Sequence, residues 1–181
     1  MLPACPCCAR PFGRRAWLAL GLACAAAPAL GQADGAPRHL LLAHVDGERF
    51  EGIYWRGGVH DPEALAAIAW LFRDREEGLA GPLDPALLDT LWLLDQRVPG
   101  RGFEVASAYR TARTQAALAA RWGRAATDSL HVQGRAVDVR RPGLHALGLV
   151  GAAWQLGRGG VGLYRGASPF VHLDTGPRRR W

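Results

Sequence analysis

The sequence predicts an α+β domain: an antiparallel sheet that carries a metal site, with helices packed on it. Three observations predict this. Short runs alternate with period two at Phe103–Ser107, Ala136–Val139 and Phe170–Asp174, as half-buried strands do. Longer runs with apolar residues at helical spacing follow Asp61-Pro62 and Asp84-Pro85. The helices come early and the most regular strands late, an order that suits a segregated α+β arrangement. A length of 181 residues, 49% of them hydrophobic, suits one domain with a sizeable core.

Residues 1–31 read as an export signal and residues 32–181 as the mature domain. Arg14-Arg15 precede an apolar run from Ala16 to Leu30, and Ala29-Leu30-Gly31 offers small residues for cleavage. Gly13-Arg14-Arg15-Ala16-Trp17-Leu18 resembles a twin-arginine signal; an ordinary secretory signal and lipid attachment at Cys24 are the competing readings. The run is too short and too alanine-rich for a retained membrane helix, so membrane contact is expected only during export. Cys5, Cys7, Cys8 and Cys24 all lie before Gly31. The mature chain therefore has no disulfide framework, thiol nucleophile or thiolate ligand. The formal charge is +6, of which Arg10, Arg14 and Arg15 in the leader supply three. Every basic residue is Arg, yet no Arg-rich helix or aromatic ladder accompanies them, which argues against a nucleic-acid partner.

The mature chain opens with an apolar run from Arg38 to Val45, then Asp46-Gly47, then Arg49 to Trp55, the pattern of a hairpin that Gly57-Gly58 ends. His39, His44 and His60 have no carboxylate at useful spacing and read as structural or exposed. Asp61-Pro62-Glu63 starts a helix with a cap, a proline and a first-turn acid; Leu65, Ile68, Ala69 and Phe72 form its expected core stripe. Arg73-Asp74-Arg75-Glu76-Glu77 reads as a solvated end. Asp84-Pro85 starts a second helix with Leu87, Leu91 and Leu94 inward. A strand over Phe103–Ser107 leads to Ala108-Tyr109-Arg110-Thr111 and a third helix to about Trp122. A fourth helix spans about Leu144 to Leu156, with Leu147, Val150 and Trp154 on one face. Gly159-Gly160-Val161-Gly162 turns into a short strand ahead of Phe170–Asp174. Arg178-Arg179-Arg180 reads as a solvated tail.

The chemistry concentrates in two stretches, Ser129-Leu130-His131-Val132-Gln133-Gly134-Arg135-Ala136-Val137-Asp138-Val139 and Phe170-Val171-His172-Leu173-Asp174. On strands, Val137 and Val139 share one face and Asp138 takes the other; Val171 and Leu173 share one face and His172 and Asp174 the opposite. Polar groups thus leave the apolar side of a sheet together. Two imidazoles and a carboxylate are a ligand set that zinc uses in hydrolytic sites, with a fourth position left for water. Any one of these histidines alone would count for little, since short motifs match often by chance; the conjunction of both strands and the intervening glycine turn carries the reading.

With these residues in view, the chain resembles a bacterial family of exported zinc murein endopeptidases, the YcbK or MepK type. These belong to a wider D-alanyl-D-alanine peptidase-like group whose zinc fold is shared with the hedgehog signalling domain. The resemblance runs from about Arg38 to Trp181. It rests on Tyr54-Trp55, Leu71-Phe72-Arg73-Asp74-Arg75, Leu83-Asp84-Pro85, Ser107-Ala108-Tyr109-Arg110-Thr111, the His131 to Asp138 stretch, and Gly159-Gly160-Val161-Gly162 through Phe170-Val171-His172-Leu173-Asp174-Thr175-Gly176. It implies one zinc ion held by His131, Asp138 and His172. It also implies cleavage of peptidoglycan peptide stems at their cross-links, with the linkage open between L,D and D,D, by a periplasmic monomer. It further places Arg110 beside the metal, against a substrate carbonyl or carboxylate. Ala108 stands where Gly is usual and Gln115 where Asn is usual, and neither is expected to touch a ligand.

A metal-activated water needs a proton acceptor, and a cation should meet the developing oxyanion. Arg110, always charged and planar, suits the second task. Related peptidases often place Glu three residues, or His five, before the last ligand; here Pro169 and Ala167 occupy those positions and neither accepts a proton. Asp174 is the local candidate for the base, or else it orients a ligand imidazole. Asp128 is a weaker choice. The function class that competes with the hydrolase is a catalytically silent, zinc-bearing peptidoglycan-binding module.

Overall fold

One mixed sheet of eight strands, in the order β3-β2-β1-β4-β5-β7-β6-β8, frames the molecule. The computed structural model describes residues 35–122 and 128–181, so the expected export signal over residues 1–31 lies outside the described residues. Strands β1 (Arg38–His44) and β2 (Arg49–Arg56) form the expected hairpin around Asp46-Gly47. The chain does not end its pairing at Gly57-Gly58: both glycines take positive φ, and a two-residue strand β3 (Val59–His60) folds back on β2. Helix α1 (Pro62–Leu71) follows, its first-turn N–H groups at Glu63 and Ala64 donating to the Asp61 carboxylate. Helix α2 (Pro85–Asp95) starts in the same way on Asp84.

Strand β4 (Phe103–Ser107) joins the hairpin to the later strands, running parallel to β1 and antiparallel to β5 (Ala136–Arg140). Helix α3 (Ala112–Trp122) comes after β4, and helix α4 (Ala146–Gln155) after β5. Strands β6 (Gly160–Tyr164) and β7 (Phe170–Asp174) make a second hairpin, with β7 central and β8 (Arg179–Arg180) parallel to β6 at the edge. The sheet is therefore mixed rather than antiparallel, and it includes the N-terminal hairpin instead of following the helices. The reason lies in β4: its apolar Phe103 and Val105 are covered from below by α-helical leucines and flanked by Leu42 on one side and Val139 on the other, so both halves of the chain share one sheet.

Alternation places Leu40, Leu42, Val105, Val137, Val139, Val171 and Leu173 on one face, all buried. Helices α1 and α2 pack on β2 and β1, and α4 on β6 and β7. Fully burying each such side chain stabilises the fold by about 1.5–3 kcal/mol. Two helix stripes match expectation in part: Ile68, Phe72 and Val150 are buried as expected, and Leu65 and Trp154 pack partly buried against the core. Helix α1 buries Ala64, Ile68 and Leu71, leaving Leu65 and Ala69 half-buried; α4 buries Leu149, Val150 and Ala153 and leaves Leu147 exposed. Both helices carry apolar residues on overlapping stripes, so spacing alone admits either face. The run Arg73–Glu77 is not simply a solvated end. Asp74 is 2% exposed and accepts from the Thr111 N–H at 2.7 Å and the Glu76 N–H at 2.9 Å. Arg73 and Arg75 fold back on Glu48 and Asp46. His44 also has a carboxylate partner after all, Asp46 at 3.0 Å across the hairpin turn.

Candidate metal centre

The other face of the sheet gathers the polar residues. Strands β5 and β7 pair with Asp138 opposite His172 and Ala136 opposite Asp174. Cross-strand neighbours on one face lie close enough for their side chains to meet, so pairing alone brings Asp138 and His172 together. His131 arrives from a single 3₁₀ turn, Leu130–Gln133, whose start is capped by Ser129. Gly134 makes the arrival possible. Its φ of +66° reverses the chain into β5, and a Cβ there would lie 1.8 Å from the Pro82 carbonyl oxygen.

The donor atoms of His131, Asp138 and His172 all lie within 4.8 Å of one another, and all three residues are buried. His172 Nδ1 is 3.0 Å from Asp138 Oδ1 and 3.2 Å from His131 Nε2; His131 Nε2 is 3.4 Å from the same carboxylate oxygen. The outer ring nitrogens are committed elsewhere. His131 Nδ1 lies 2.5 Å from the Ala108 carbonyl, which can only accept, so that nitrogen carries the proton. His172 Nε2 lies 3.1 Å from Asp174 Oδ2, and the same logic applies. Both rings are thereby held in the tautomer that turns a lone pair inward, onto the Asp138 oxygen. Two lone pairs and a carboxylate converging on one point fit a cation, and the donor set fits zinc.

The electrostatics agree. Burial drives His131 below its usual range, against the pull of Asp138. Burial also opposes charge on His172, but hydrogen bonds to Asp138 and Asp174 outweigh it and raise its proton affinity. Asp138 stays ionised: burial pushes its pKa up, and the two imidazoles more than reverse that. The cluster thus calls for positive charge at its centre.

Arg110 stands beside it. Its guanidinium donates to the second Asp138 oxygen at 2.9 Å, to Ser107 Oγ at 3.0 Å and to Gln115 Oε1 at 3.4 Å, and its backbone N–H donates to the His131 carbonyl. A cavity of about 930 Å³ shares Ser107, Ala108, Tyr109 and Arg110 with this region but runs on along residues 71–77 and α3, and none of His131, Asp138 and His172 lines it. Ala108 does touch a ligand, through its backbone carbonyl on His131, so its side chain is free to differ. Gln115 is buried and reaches the centre through Arg110.

Asp174 is 1% exposed and saturated with donors. Its Oδ1 accepts from the N–H groups of Gly160 at 2.9 Å and Gly176 at 2.8 Å; its Oδ2 accepts from Arg179 at 2.7 Å as well as facing His172. Burial alone would raise its pKa, yet these bonds hold it at about 2. Arg179, expected in a solvated tail, is thus part of the site. The only sequence signal for it was its place five residues after Asp174. Asp128 is exposed. Pro169 and Ala167 lie in the exposed link between β6 and β7.

The mixed sheet, the four helices among the described residues and a buried His–Asp–His group that could hold a metal ion, flanked by an arginine, define the class: an α+β protein with a candidate metal centre. The family described as peptidoglycan L,D-endopeptidase MepK matches residues 32–181, and the chain belongs to that family. Peptidoglycan L,D-endopeptidase MepK of Escherichia coli strain K12 is 35% identical over 170 residues, which cover 91% of each chain. A probable peptidoglycan L,D-endopeptidase MepK of Haemophilus influenzae is 32% identical over 148 residues, 80% of this chain and 79% of that one. No solved structure matches the chain.

Proposed function

We propose that this protein is a zinc-dependent peptidoglycan endopeptidase that hydrolyses peptide cross-links of the cell wall, with the L,D linkage as its substrate. The observation that carries the reading is the convergence of His131 Nε2, His172 Nδ1 and Asp138 Oδ1, each fixed inward by a partner on its far side. The relatives' names point to the L,D bond. The fold is read as the D-alanyl-D-alanine peptidase and hedgehog type. The leader, the family and the chemistry together support export to the periplasm. Among the described residues no helix is long and apolar enough to cross a membrane. All three donors come from one chain, so a monomer suffices.

A zinc ion held by these three side chains would polarise the scissile carbonyl and lower the pKa of a water to roughly 7. Two of the chain's own residues have defined roles beside it. Arg110 is pinned by Ser107 and Asp138 beside the three converging donors, where it meets the carbonyl oxygen as negative charge develops. Asp174 is a positioning residue: with both oxygens engaged and its carboxyl held at about 2, it fixes the His172 tautomer rather than accepting a proton. Arg110→Lys keeps the charge but cannot span Ser107, Gln115 and Asp138 at once. The silent binding module remains the competing reading because Pro169 and Ala167 offer no base.

The test is to incubate the zinc-loaded protein, and a chelator-stripped sample, with cross-linked muropeptides and to weigh the products by mass spectrometry. Zinc-dependent conversion of L,D-linked dimers to monomers is the expected result, with Arg110→Lys slower by about 10²–10³-fold at unchanged zinc content. Intact dimers in the presence of bound zinc would refute the enzyme and leave the binding module.

A further inference from the structure

Beyond the ligands, the same face of the sheet carries a strip of aromatic rings that the chemistry above does not use. Trp181 lies with its ring centroid 5.2 Å from that of His172. Tyr164 lies 6.4 Å from His172 on the same face and stacks on Phe170 at 4.8 Å. Trp181 is 48% exposed and Tyr164 42%, so both rings leave apolar surface open beside the centre.

The placement of Trp181 is built by the backbone. Its N–H donates to the Val161 carbonyl and its carbonyl accepts from the Leu163 N–H, so the residue continues the pairing of β8 along β6. Gly162, the cross-strand neighbour of His172, leaves the space the indole fills; a Cβ there would come within 2.5 Å of the ring. The alternation of Gly160 and Gly162 now has a cause. One glycine admits the Asp174 carboxylate and the other the Trp181 indole.

We propose that Trp181, seconded by Tyr164, is the substrate-binding wall of this centre, packing on the carbon skeleton of the amino acid next to the cleaved bond. The proposal rests on the endopeptidase reading above. Distance selects the occupant. An extended chain advances about 3.3–3.6 Å per residue, so a ring 5.2 Å from a ligand imidazole reaches the residue flanking the scissile carbonyl, not a sugar several residues away. Flanking residues in a peptide cross-link present methyl groups and methylene arms, which gain by covering an exposed indole.

The experiment compares wild type, Trp181→Ala, Trp181→Phe and Gly162→Ala, the last of which displaces the indole without removing it. Zinc content and thermal midpoint are measured for each. KM and kcat are then read on L,D-linked peptide dimers with and without their glycan. Trp181→Ala and Gly162→Ala should raise KM roughly tenfold on both substrates, with zinc content held and kcat within about threefold; Trp181→Phe should recover most of the loss. An unchanged KM overturns the proposal. So does a fall in kcat together with zinc content, which would make the indole a shield for His172. A loss confined to the glycan-bearing dimer overturns the peptide assignment in favour of a sugar. A wild type that cleaves nothing defeats the endopeptidase reading, and binding of the glycan-free dimer to chelator-stripped protein by calorimetry then decides: equal affinity for wild type and Trp181→Ala overturns the wall, and a roughly tenfold weaker variant upholds it.

Discussion

Replacing Asp174 by Asn changes almost no volume and inverts the hydrogen-bonding logic of the centre. The carboxylate accepts from five groups: Gly160 N–H, Gly176 N–H, His172 Nε2 and two Arg179 nitrogens. An amide oxygen can keep the two glycine N–H bonds on the Oδ1 side. Its NH₂ then faces His172 and Arg179, donor against donor. His172 can satisfy that contact only by giving up the Nε2 proton, which places a proton on Nδ1, the nitrogen turned toward Asp138. The ion would have to displace it. Loss of such a ligand-orienting partner costs about 10–100-fold in metal affinity, or about 1.4–2.8 kcal/mol. Competition against a chromogenic chelator measures it directly.

The same substitution removes the Asp174–Arg179 ion pair, and because the Arg179 side chain is 44% exposed and its freed nitrogen can turn to water, the cost in the metal-free protein stays below about 1 kcal/mol. A pH signature separates this from general damage. The Asp174 carboxyl is depressed to about 2 in the folded protein, so its contribution is complete above the ordinary carboxylate range, near pH 4, and is lost as pH falls toward 2. Urea unfolding of metal-free wild type should therefore steepen in that window, and Asp174→Asn should lack that share of the acid limb. A zinc affinity within threefold of wild type would refute the tautomer argument.

Two other substitutions probe the scaffold. Asp74→Ala removes the acceptor for the part-buried N–H of Thr111 and for Glu76 and Glu77; stability should fall by about 1–3 kcal/mol in urea unfolding. Burial raises the Asp74 pKa, but those N–H bonds win and lower it. Its contribution is therefore present near neutral pH and fades as pH falls below the usual carboxylate range. Gly134→Ala forces a side chain into left-handed backbone and onto the Pro82 carbonyl; a loss of at least about 2 kcal/mol is expected, with His131 and Asp138 both displaced and zinc binding lost. A Gly134→Ala protein of wild-type melting temperature would show that the turn is not needed.

The site was more legible in the sequence than the fold around it. Asp138 and His172 lie on strands whose alternation fixes their side of the sheet, so pairing in register was enough to bring them together; His131 comes from the 3₁₀ turn before β5, and the Gly134 turn that delivers it follows no strand period. Asp174 was visible by the same alternation as His172. What it does was not, because the deciding donors come from Gly160, Gly176 and Arg179, none of which announces itself as a partner. Arg179 opens a strand of two residues, too short for any period to show, and Trp181 follows directly after it. Asp74 sat inside a charge run, and only the fold of Thr111 over it reveals a buried cap. The edges of the α1 and α4 stripes were not legible: Ala64, Leu65, Ile68, Ala69 and Leu71 supply two overlapping apolar faces in α1, as Leu147, Leu149, Val150 and Ala153 do in α4, and contact with β2 chooses in the first and with β6 and β7 in the second. The parallel join of β1 to β4 depends on contacts 61 residues apart, as Leu42 and Phe103 meet across it.

The most direct test of the metal centre is elemental analysis of the purified protein after zinc loading and exhaustive dialysis. It would be run on wild type beside His131→Ala, Asp138→Ala and His172→Ala. One zinc per chain in wild type, and little or none in each of the three variants with the fold retained by circular dichroism, is the expected result. A wild type without zinc, or any of the three variants still holding one ion per chain, would contradict the centre described above.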